Sequence, residues 1–333
     1  MRAPFVGSRG SVLVRELLLL HLQDSDGNVG FGEAAPLHHY DGVTIADVYA
    51  ALEDCRALLT DGEERPRSEL LSTCAAAAVL PQALAAIDLA LWDLAGCRAG
   101  QPVWRLLGAP KPLAVQVNET IGAVDRAGAA SEATAARRAG FDTVKVKVGV
   151  GDDAGRLAAV RAAAGPGMAI RLDANGAWSE DQALAALGSL EPVGLELCEE
   201  PVSGLRAVAR VCAQTPVAVA IDESAGLPGA LGQRACDAVC LKVARCGGIS
   251  GVIEAAGQAR AAGYEVYLAS TLDGPLGIAA ALHTAAALAP DRACGLATLG
   301  MFEGRPDVLP ARGGRIAVPD GAGLGDGLLS WYD

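Results

Sequence analysis

Residues 141–175, FDTVKVKVGVGDDAGRLAAVRAAAGPGMAIRLDAN, form the stretch that decides the fold. A short run rich in valine (143–148) is followed by an Ala-rich helical stretch and then by a second apolar run (169–173). Nearly continuous apolar strands that alternate with helices are typical of a parallel sheet whose faces are covered by helices. The stretch therefore predicts one strand-helix-strand unit.

The same alternation extends outward over residues 111–309. It predicts an α/β fold in which eight strands form a parallel (β/α) barrel of the TIM type. No Gly-x-Gly-x-x-Gly segment follows any of these runs, which argues against the alternative of a doubly wound dinucleotide-binding sheet. The predicted strands are residues 113–118, 143–148, 169–173, 195–199, 217–222, 238–242, 265–270 and 294–299.

The residues before the barrel predict a smaller α+β domain over residues 1–110. Residues 11–35 have the pattern of two strands joined by a turn at 24–28, and residues 44–107 have a helical pattern. The Gly- and Pro-rich segment 310–333 carries no further repeat, and we expect it to return to this first domain.

Composition excludes several classes of function. The 333 residues carry 27 Lys and Arg against 39 Asp and Glu, a net charge of −12, so neither nucleic acid nor an anionic membrane is an expected partner. No signal segment or membrane span is predicted, and the nine cysteines form no Cys-x-x-Cys pair, which favours reduced thiols and a cytoplasmic location. The composition leaves a homo-oligomer open.

Charged residues end five consecutive predicted strands. They are spaced by about one strand-helix unit, and the C-terminal ends of barrel strands carry the active site in this fold. A single charge at a strand end is often only the first solvated residue of a loop, but five in register argue for a site. Three convergent carboxylates need a cation, and oxygen ligands suit Mg²⁺, with Mn²⁺ as the alternative ion. The five residues are Lys147, Asp173, Glu199, Asp222 and Lys242.

Only four of the 27 basic residues are lysines, and two of them alternate with valines at Lys145 and Lys147. The strand period of two places both ammonium groups on one face, pointing into the barrel mouth. Like charges side by side are expected to lower the pKa of at least one of them, as a general base requires. With Lys242 on the opposite side, the arrangement predicts removal of a proton α to a carboxylate of a small molecule, with an enediolate stabilised by the metal.

Other polar residues near these strand ends are expected to support the metal ligands or to contact the substrate. Arg171 and Asn175 share a face with Asp173, Glu200 and Glu223 are the neighbours of two expected ligands, and Ser270 and Thr271 follow the seventh strand. Two alternatives remain at this point. One is a lyase in which Lys242 forms a Schiff base without a metal, and the other is a barrel that binds a ligand without catalysis.

These motifs resemble those of the enolase superfamily, within it the muconate-lactonizing-enzyme subgroup of the mandelate racemase/muconate lactonizing enzyme family. The resemblance implies Mg²⁺ ligands at Asp173, Glu199 and Asp222, an acid/base pair at Lys147 and Lys242, and an N-terminal capping domain that closes over the barrel. It also implies that residues 2–10 form a loop preceded by a capping strand, so the edge of the capping sheet is expected to lack one strand. The motifs are KVK at 145–147, DAN at 173–175, EEP at 199–201, DES at 222–224 and KVARCGGI at 242–249.

Within the subgroup, the loop 32–37 and the segment 171–178 resemble those of o-succinylbenzoate synthases, which dehydrate a cyclohexadiene carboxylate in menaquinone biosynthesis. Dipeptide epimerases are similar in both places, but they usually carry an Asp-x-Asp element near the eighth strand, and residues 295–302 contain none. The resemblance therefore favours the synthase, a lyase. Dipeptide epimerases, N-acylamino acid racemases and muconate cycloisomerases, which are isomerases, remain as alternatives.

Overall fold

The computed structural model describes residues 1–77, 80–110 and 114–333. The N-terminal domain combines a β-hairpin, a two-stranded sheet and a group of helices. Its elements are β1 (Phe5–Gly7), β2 (Gly10–Val12), β3 (Leu18–Gln23), β4 (Val29–Ala34), α1 (His38–Asp41), α2 (Ile45–Thr60), α3 (Arg67–Ala77), α4 (Pro81–Ala99) and α5 (Val103–Leu106).

The C-terminal domain alternates strands and helices, and its first and last strands pair with each other outside the barrel sheet. Its elements are β5 (Val115–Gln116), β6 (Glu119–Ile121), α6 (Arg126–Arg138), β7 (Thr143–Lys147), α7 (Asp153–Ala164), β8 (Ala169–Asp173), α8 (Glu180–Leu190), β9 (Leu195–Glu199), α9 (Leu205–Cys212), β10 (Ala218–Ile221), β11 (Ala238–Leu241), α10 (Val243–Cys246), α11 (Ile249–Ala262), β12 (Glu265–Leu268), α12 (Pro275–Leu288) and β13 (Arg315–Ile316).

The two-stranded sheet of the N-terminal domain packs tightly on α4. The predicted turn is present, and the Asp24 carboxylate accepts a hydrogen bond from the backbone of Asn28 at 2.7 Å. A Cβ on Gly32 of β4 would lie 1.8 Å from the Ala86 carbonyl oxygen of α4, so only glycine permits this approach. Residues 2–10, predicted as a loop, instead contain β1 and half of the hairpin with β2.

The predicted parallel barrel is confirmed, with corrections at its first and last strands. One sheet runs β6-β7-β8-β9-β10-β11-β12 with parallel neighbours. The first barrel strand is β6 rather than residues 113–118, because β5 pairs outside the ring with β13. Leu113, the start of the predicted strand, lies outside the described residues.

The eighth predicted strand is reduced to a bridge at residues 294–295. The Asn118 N–H, one residue before β6, donates to the Cys294 carbonyl at 2.9 Å, and the Gly295 N–H donates to the Leu268 carbonyl at 2.8 Å, so two residues close the ring between its first and seventh strands. The Thr298 N–H then bonds to the Leu296 carbonyl at 2.9 Å, which turns the chain out of the strand direction before the extended run ends.

The C-terminal segment contacts the N-terminal domain, as the sequence predicts. The Leu324 N–H donates to the Asp93 carboxylate of α4 at 2.7 Å, and the Val103 N–H of α5 donates to Gly323 at 2.9 Å. Domain limits of 1–110, 111–309 and 310–333 remain our proposal. All nine cysteines are unpaired thiols, and no helix in the described part of the chain is long and apolar enough to cross a membrane.

His283 of α12 joins the barrel, α5 and the C-terminal segment. Its fully buried ring accepts from the Trp104 N–H at 3.1 Å through Nδ1, so Nε2 carries the proton and donates to the Leu324 carbonyl at 3.1 Å. Burial lowers the pKa of His283 from 6.5 to about 4. The His283 ring is therefore neutral in the folded protein at neutral pH.

This depressed pKa predicts a loss of stability as the pH falls. Between pH 6.5 and pH 4 the unfolded chain binds a proton at His283 that the folded chain does not, so the unfolding free energy falls by about 2 kcal/mol from pH 7 to pH 5 through this group. Urea unfolding of the wild type and of His283→Gln at both pH values measures the difference. Equal pH dependence in the two proteins would contradict the prediction.

Candidate active site

The five charged strand-end residues meet at one rim of the barrel. The parallel register places Lys147 beside Asp173 and Asp173 beside Glu199, while Asp222 and Lys242 directly follow β10 and β11. Each of these residues ends its strand or directly follows it. The alternating pleat of the strand turns its side chain towards the inside of the barrel. The structure therefore places the five residues that spacing predicts at the same end of the sheet.

Two of the lysines and two of the carboxylates form one buried ion-pair network. Lys145 Nζ lies 2.9 Å from Asp173 Oδ2 and 3.0 Å from Glu199 Oε1. Lys147 Nζ lies 2.6 Å from the same Asp173 oxygen and donates to Asn175 Oδ1 at 2.9 Å. Both lysines thus converge on Asp173, from neighbouring positions on one face of β7.

Lys242 and Asp222 form the opposite half of the site. Their Nζ and Oδ2 atoms lie 2.5 Å apart, and both side chains are buried. Three strands, β8, β9 and β10, separate β11 from β7 in the sheet, so Lys242 faces Lys147 across the barrel mouth. Three ammonium groups and three carboxylates therefore balance each other's charge at this rim.

The carboxylates dominate the electrostatics of the lysines. Burial acts to lower the pKa of Lys145, but Asp173 and Glu199 outweigh it and raise that pKa above its usual range. Burial and Asp222 have the same opposing effects on the pKa of Lys242, with a net rise. The like-charge repulsion that the sequence predicts is therefore outweighed at Lys145 by the neighbouring carboxylates. Conversely, Lys145 and Lys147 overcome burial and hold the pKa of Asp173 well below its usual range.

The donor set fits a hard divalent cation. Among the described residues, ligand atoms of Glu199, Asp222 and Cys240 lie within 4.8 Å of one another. Burial raises the pKa of the Cys240 thiol well above its usual value, so it stays protonated and is a poor ligand for Mg²⁺. Asp173, the third predicted ligand, ends its strand at the same rim but lies outside this 4.8 Å group, with its Oδ2 atom paired with the two β7 lysines. Three carboxylates at one rim match the oxygen coordination of Mg²⁺.

Polar groups beneath the rim fix the Glu199 carboxylate and the turn that carries Asp222. The Glu200 carboxylate accepts from the Asp222 N–H at 2.8 Å and from the Ser224 hydroxyl, which orders the turn after β10. The Tyr267 hydroxyl donates to Glu199 Oε2 at 2.7 Å. Glu200 therefore supports the site and does not line the cavity.

Arg171 lies one layer below the rim. Its guanidinium lies over the Tyr267 ring at 5.1 Å and pairs with Glu196 at 2.8 Å, and the side chain is 1% exposed. The expectation of a substrate contact is therefore wrong for Arg171, since Tyr267 stands between it and Glu199. The alternative expectation, that it supports a metal ligand, agrees with this placement.

Asn175 and Glu223 connect the barrel rim to the β1–β2 hairpin. Asn175 Nδ2 donates to Glu223 Oε1 at 3.0 Å, and Arg9 Nε lies 3.3 Å from the same oxygen. Burial and then Asp222 raise the pKa of Glu223 to about 7. The hairpin is thus fastened to the rim beside Lys147.

A cavity of about 110 Å³ lies above the lysines, between the barrel and the N-terminal domain. Ser270 and Thr271 line it as predicted, and the Ser270 and Thr298 hydroxyls lie 3.0 Å apart in its wall. The N-terminal domain therefore caps the site, as the resemblance implies. The N-terminal domain contributes Arg9, His39 and Tyr40 to the lining.

Sequence reasoning did not assign roles to Arg9, Tyr267, Arg245 or Thr298. Only Arg245 had an available signal, since it follows Lys242 by three residues in the quoted 242–249 stretch and therefore lies one helical turn away. Arg9 and Tyr267 reach the site from a hairpin and from the seventh strand of the sheet, and no local pattern marks them.

Two family models match the chain. The model described as enolase C-terminal domain-like matches residues 128–328. The model of the mandelate racemase / muconate lactonizing enzyme N-terminal domain matches residues 1–108. The two matches correspond to the barrel and to the capping domain.

Individual relatives cover nearly the whole chain. A D-Ala-D/L-Ala epimerase of Cytophaga hutchinsonii is 28% identical over 100% of this chain and 94% of its own length. An N-succinyl-L-Arg/Lys racemase of Bacillus cereus is 30% identical over 86% of this chain and 80% of its own length. The crystal structure of the dipeptide epimerase from Cytophaga hutchinsonii, complexed with Mg and D-Ala-L-Val, has a TM-score of 0.89 at 27% identity and covers 98% of this chain and 94% of that one.

Proposed function

This chain belongs to the mandelate racemase / muconate lactonizing enzyme family of the enolase superfamily, and from that premise we propose that it catalyses Mg²⁺-dependent exchange of the α-proton of an N-acylated amino acid, and so interconverts its enantiomers. The observation that carries the proposal is the placement of Lys147 and Lys242 on opposite sides of one buried pocket. Removal of a proton from one face and return to the other requires a base and an acid in this arrangement.

In this proposal Asp173, Glu199 and Asp222 hold the cation. When bound, Mg²⁺ supplies the positive charge that stabilises the negative charge on a carboxylate whose α-carbon has lost its proton. A cation at the three carboxylates also offsets the negative charge that raises the lysine pKa values in its absence. Lys145, fixed between Asp173 and Glu199, orients those ligands.

Each lysine of the pair has a separate role. Lys147 removes or returns the proton on one face of the α-carbon, and Asn175 Oδ1 at 2.9 Å helps to hold its Nζ. Lys242 does the same on the other face. A one-base reaction would need only one of the two, so the pair favours racemisation or epimerisation over a simple elimination.

The cavity walls favour an N-acyl group over a free ammonium group. Among the described residues that line the cavity, none is an aspartate or a glutamate, while Arg9 and His39 contribute basic groups. A dipeptide ammonium group would be desolvated there without an anionic partner. An N-acyl group that is neutral or carries a distal carboxylate meets no such penalty, and the N-succinyl amino acid racemase among the relatives acts on that class of compound.

Dehydration of a cyclohexadiene carboxylate to o-succinylbenzoate is the second candidate. Its substrate also lacks an ammonium group, so the same cavity walls suit it, and it starts with the same α-proton abstraction. The relatives described above are an epimerase and a racemase, which favours proton exchange.

A matched pair of variants at Thr298 tests the substrate class. We expect the wild type to racemise N-succinyl and N-acetyl amino acids with a kcat/KM about 10- to 100-fold above that for free dipeptides, because a buried unpaired ammonium costs about 1–3 kcal/mol. Thr298→Asp adds a carboxylate to the cavity wall that can pair with an ammonium group, so it is expected to reduce the preference for N-acyl amino acids over free dipeptides. Thr298→Asn, which is similar in size but neutral, is the control.

Chiral chromatography of the products measures these rates. A wild type that prefers free dipeptides would contradict the proposed substrate class. Conversion of the cyclohexadiene carboxylate, followed by ultraviolet absorbance, with no racemisation of any N-acyl amino acid would favour the second candidate. Full activity in the presence of a chelator would contradict the metal requirement and would favour a Schiff-base reaction at Lys242.

A further inference from the structure

Tyr40 belongs to the capping domain but contacts the lysine on the far side of the barrel. Lys242 Nζ donates to the Tyr40 hydroxyl at 2.7 Å, and Arg245 Nη1 donates to the same oxygen at 3.0 Å. The Lys242 Nζ also lies 4.2 Å from the centre of the Tyr40 ring. Because a ring face attracts a nearby cation, the tyrosine contacts this ammonium group in two ways.

The capping domain holds Tyr40 in this position. Tyr40 lies in the single turn of α1, whose Asp41 carboxylate accepts from the Leu37 N–H at 3.1 Å and from the Val43 N–H at 2.9 Å. Gln82 of α4 donates to the same carboxylate at 2.8 Å. These contacts fix the backbone at Tyr40 to the N-terminal domain, while its hydroxyl reaches the barrel.

The contacts of the other proton-transfer lysine are different. In the described part of the chain, Lys147 Nζ hydrogen-bonds to Asp173 and Asn175, which both belong to the barrel, and the centre of the Phe5 ring of β1 lies 5.9 Å from it without a hydrogen bond. Lys242 has one barrel partner, Asp222, and one cap partner, Tyr40. Among the described residues, the capping domain therefore hydrogen-bonds to Lys242 and not to Lys147.

We propose that Tyr40 is a positioning residue through which the capping domain fixes the Lys242 ammonium group, so that proton transfer on one face of the substrate depends on this contact more than transfer on the other. This inference rests on the proposed two-base exchange. A flexible lysine chain held at two points loses the freedom to swing away from the α-carbon. Loss of the hydroxyl would release one of those points and leave Asp222 as the other.

Enantiomer-resolved exchange in deuterated water tests the inference. NMR follows loss of the α-proton signal from each enantiomer of an N-succinyl amino acid with the Mg²⁺-loaded enzyme. Lys242→Ala identifies the enantiomer whose proton Lys242 removes, and Lys147→Ala identifies the other. We expect Tyr40→Phe to slow exchange from the Lys242-dependent enantiomer by about 10- to 100-fold and to change the other by less than about threefold.

Two further variants separate positioning from general damage. Tyr40→Phe keeps the ring, so Tyr40→Leu should slow the Lys242-dependent exchange further. Tyr49→Phe, at a tyrosine of α2 that is 58% exposed and outside the site, should leave both rates unchanged.

Equal slowing of both enantiomers by Tyr40→Phe, or no slowing of either, would overturn the inference while the proposed function stands. A wild type that exchanges neither enantiomer would overturn the proposed function and this inference with it.

Discussion

Lys147→Ala is expected to abolish racemisation, with turnover reduced by roughly 10²- to 10⁴-fold, while the fold and Mg²⁺ binding persist. Turnover is lost because the Lys147 ammonium group would transfer the proton on one face of the α-carbon. Mg²⁺ binding persists because Lys147 is not itself a ligand, although its Nζ lies 2.6 Å from Asp173, an expected ligand. Chiral chromatography measures turnover, circular dichroism checks the fold, and isothermal titration measures Mg²⁺ affinity.

The matched control is Lys145→Ala, which removes the neighbouring ammonium group from the same face of β7. Lys145 bridges Asp173 and Glu199, so its loss should weaken Mg²⁺ binding and turnover together. Substantial activity in Lys147→Ala would remove Lys147 from the role of base. Parallel losses of Mg²⁺ affinity in both variants would place Lys147 among the groups that only hold the metal ligands.

Asp222→Asn is expected to raise the Mg²⁺ concentration required for activity by at least about tenfold, because it removes one charged oxygen from the cation site. It also leaves the buried Lys242 ammonium without its anionic partner at 2.5 Å, so the metal-free protein should lose stability. Activity as a function of Mg²⁺ concentration and thermal unfolding without metal provide the two measurements.

Glu223→Gln is the control for Asp222→Asn, since it changes the adjacent carboxylate of the same turn. Glu223 contacts Asn175 and Arg9 instead of lying with the ligand atoms of Glu199 and Asp222. Its variant should keep a near-normal Mg²⁺ requirement. The opposite order of effects would mean that Glu223 is the ligand and that Asp222 is not.

The sequence was sufficient to predict the barrel and the charged rim. Parallel strands repeat one apolar pattern and end at one edge, so Lys147, Asp173 and Glu199 could be placed together from spacing alone. The same reasoning misplaced the first and eighth strands. Ring closure there depends on backbone hydrogen bonds at Cys294 and Gly295, which an apolar run does not encode.

Contacts between the domains could not be predicted in this way. Tyr40 and Lys242 are separated by 202 positions in the chain, and Arg9 reaches Glu223 from a hairpin that the sequence suggested to be a loop. The direction of the Lys145 pKa shift also depended on distances that spacing cannot supply. Two carboxylates within 3.0 Å of its Nζ outweigh both burial and the repulsion from Lys242.

The most direct test of the central claim is α-proton exchange of N-succinyl amino acids in deuterated water, followed by NMR with Mg²⁺ and again after chelation. We expect exchange from both enantiomers with Mg²⁺, at a rate matched by racemisation, and loss of both in the chelator. Exchange that persists without a divalent cation, or a complete absence of exchange from every N-acyl amino acid with Mg²⁺ present, would contradict metal-dependent two-base proton transfer at this site.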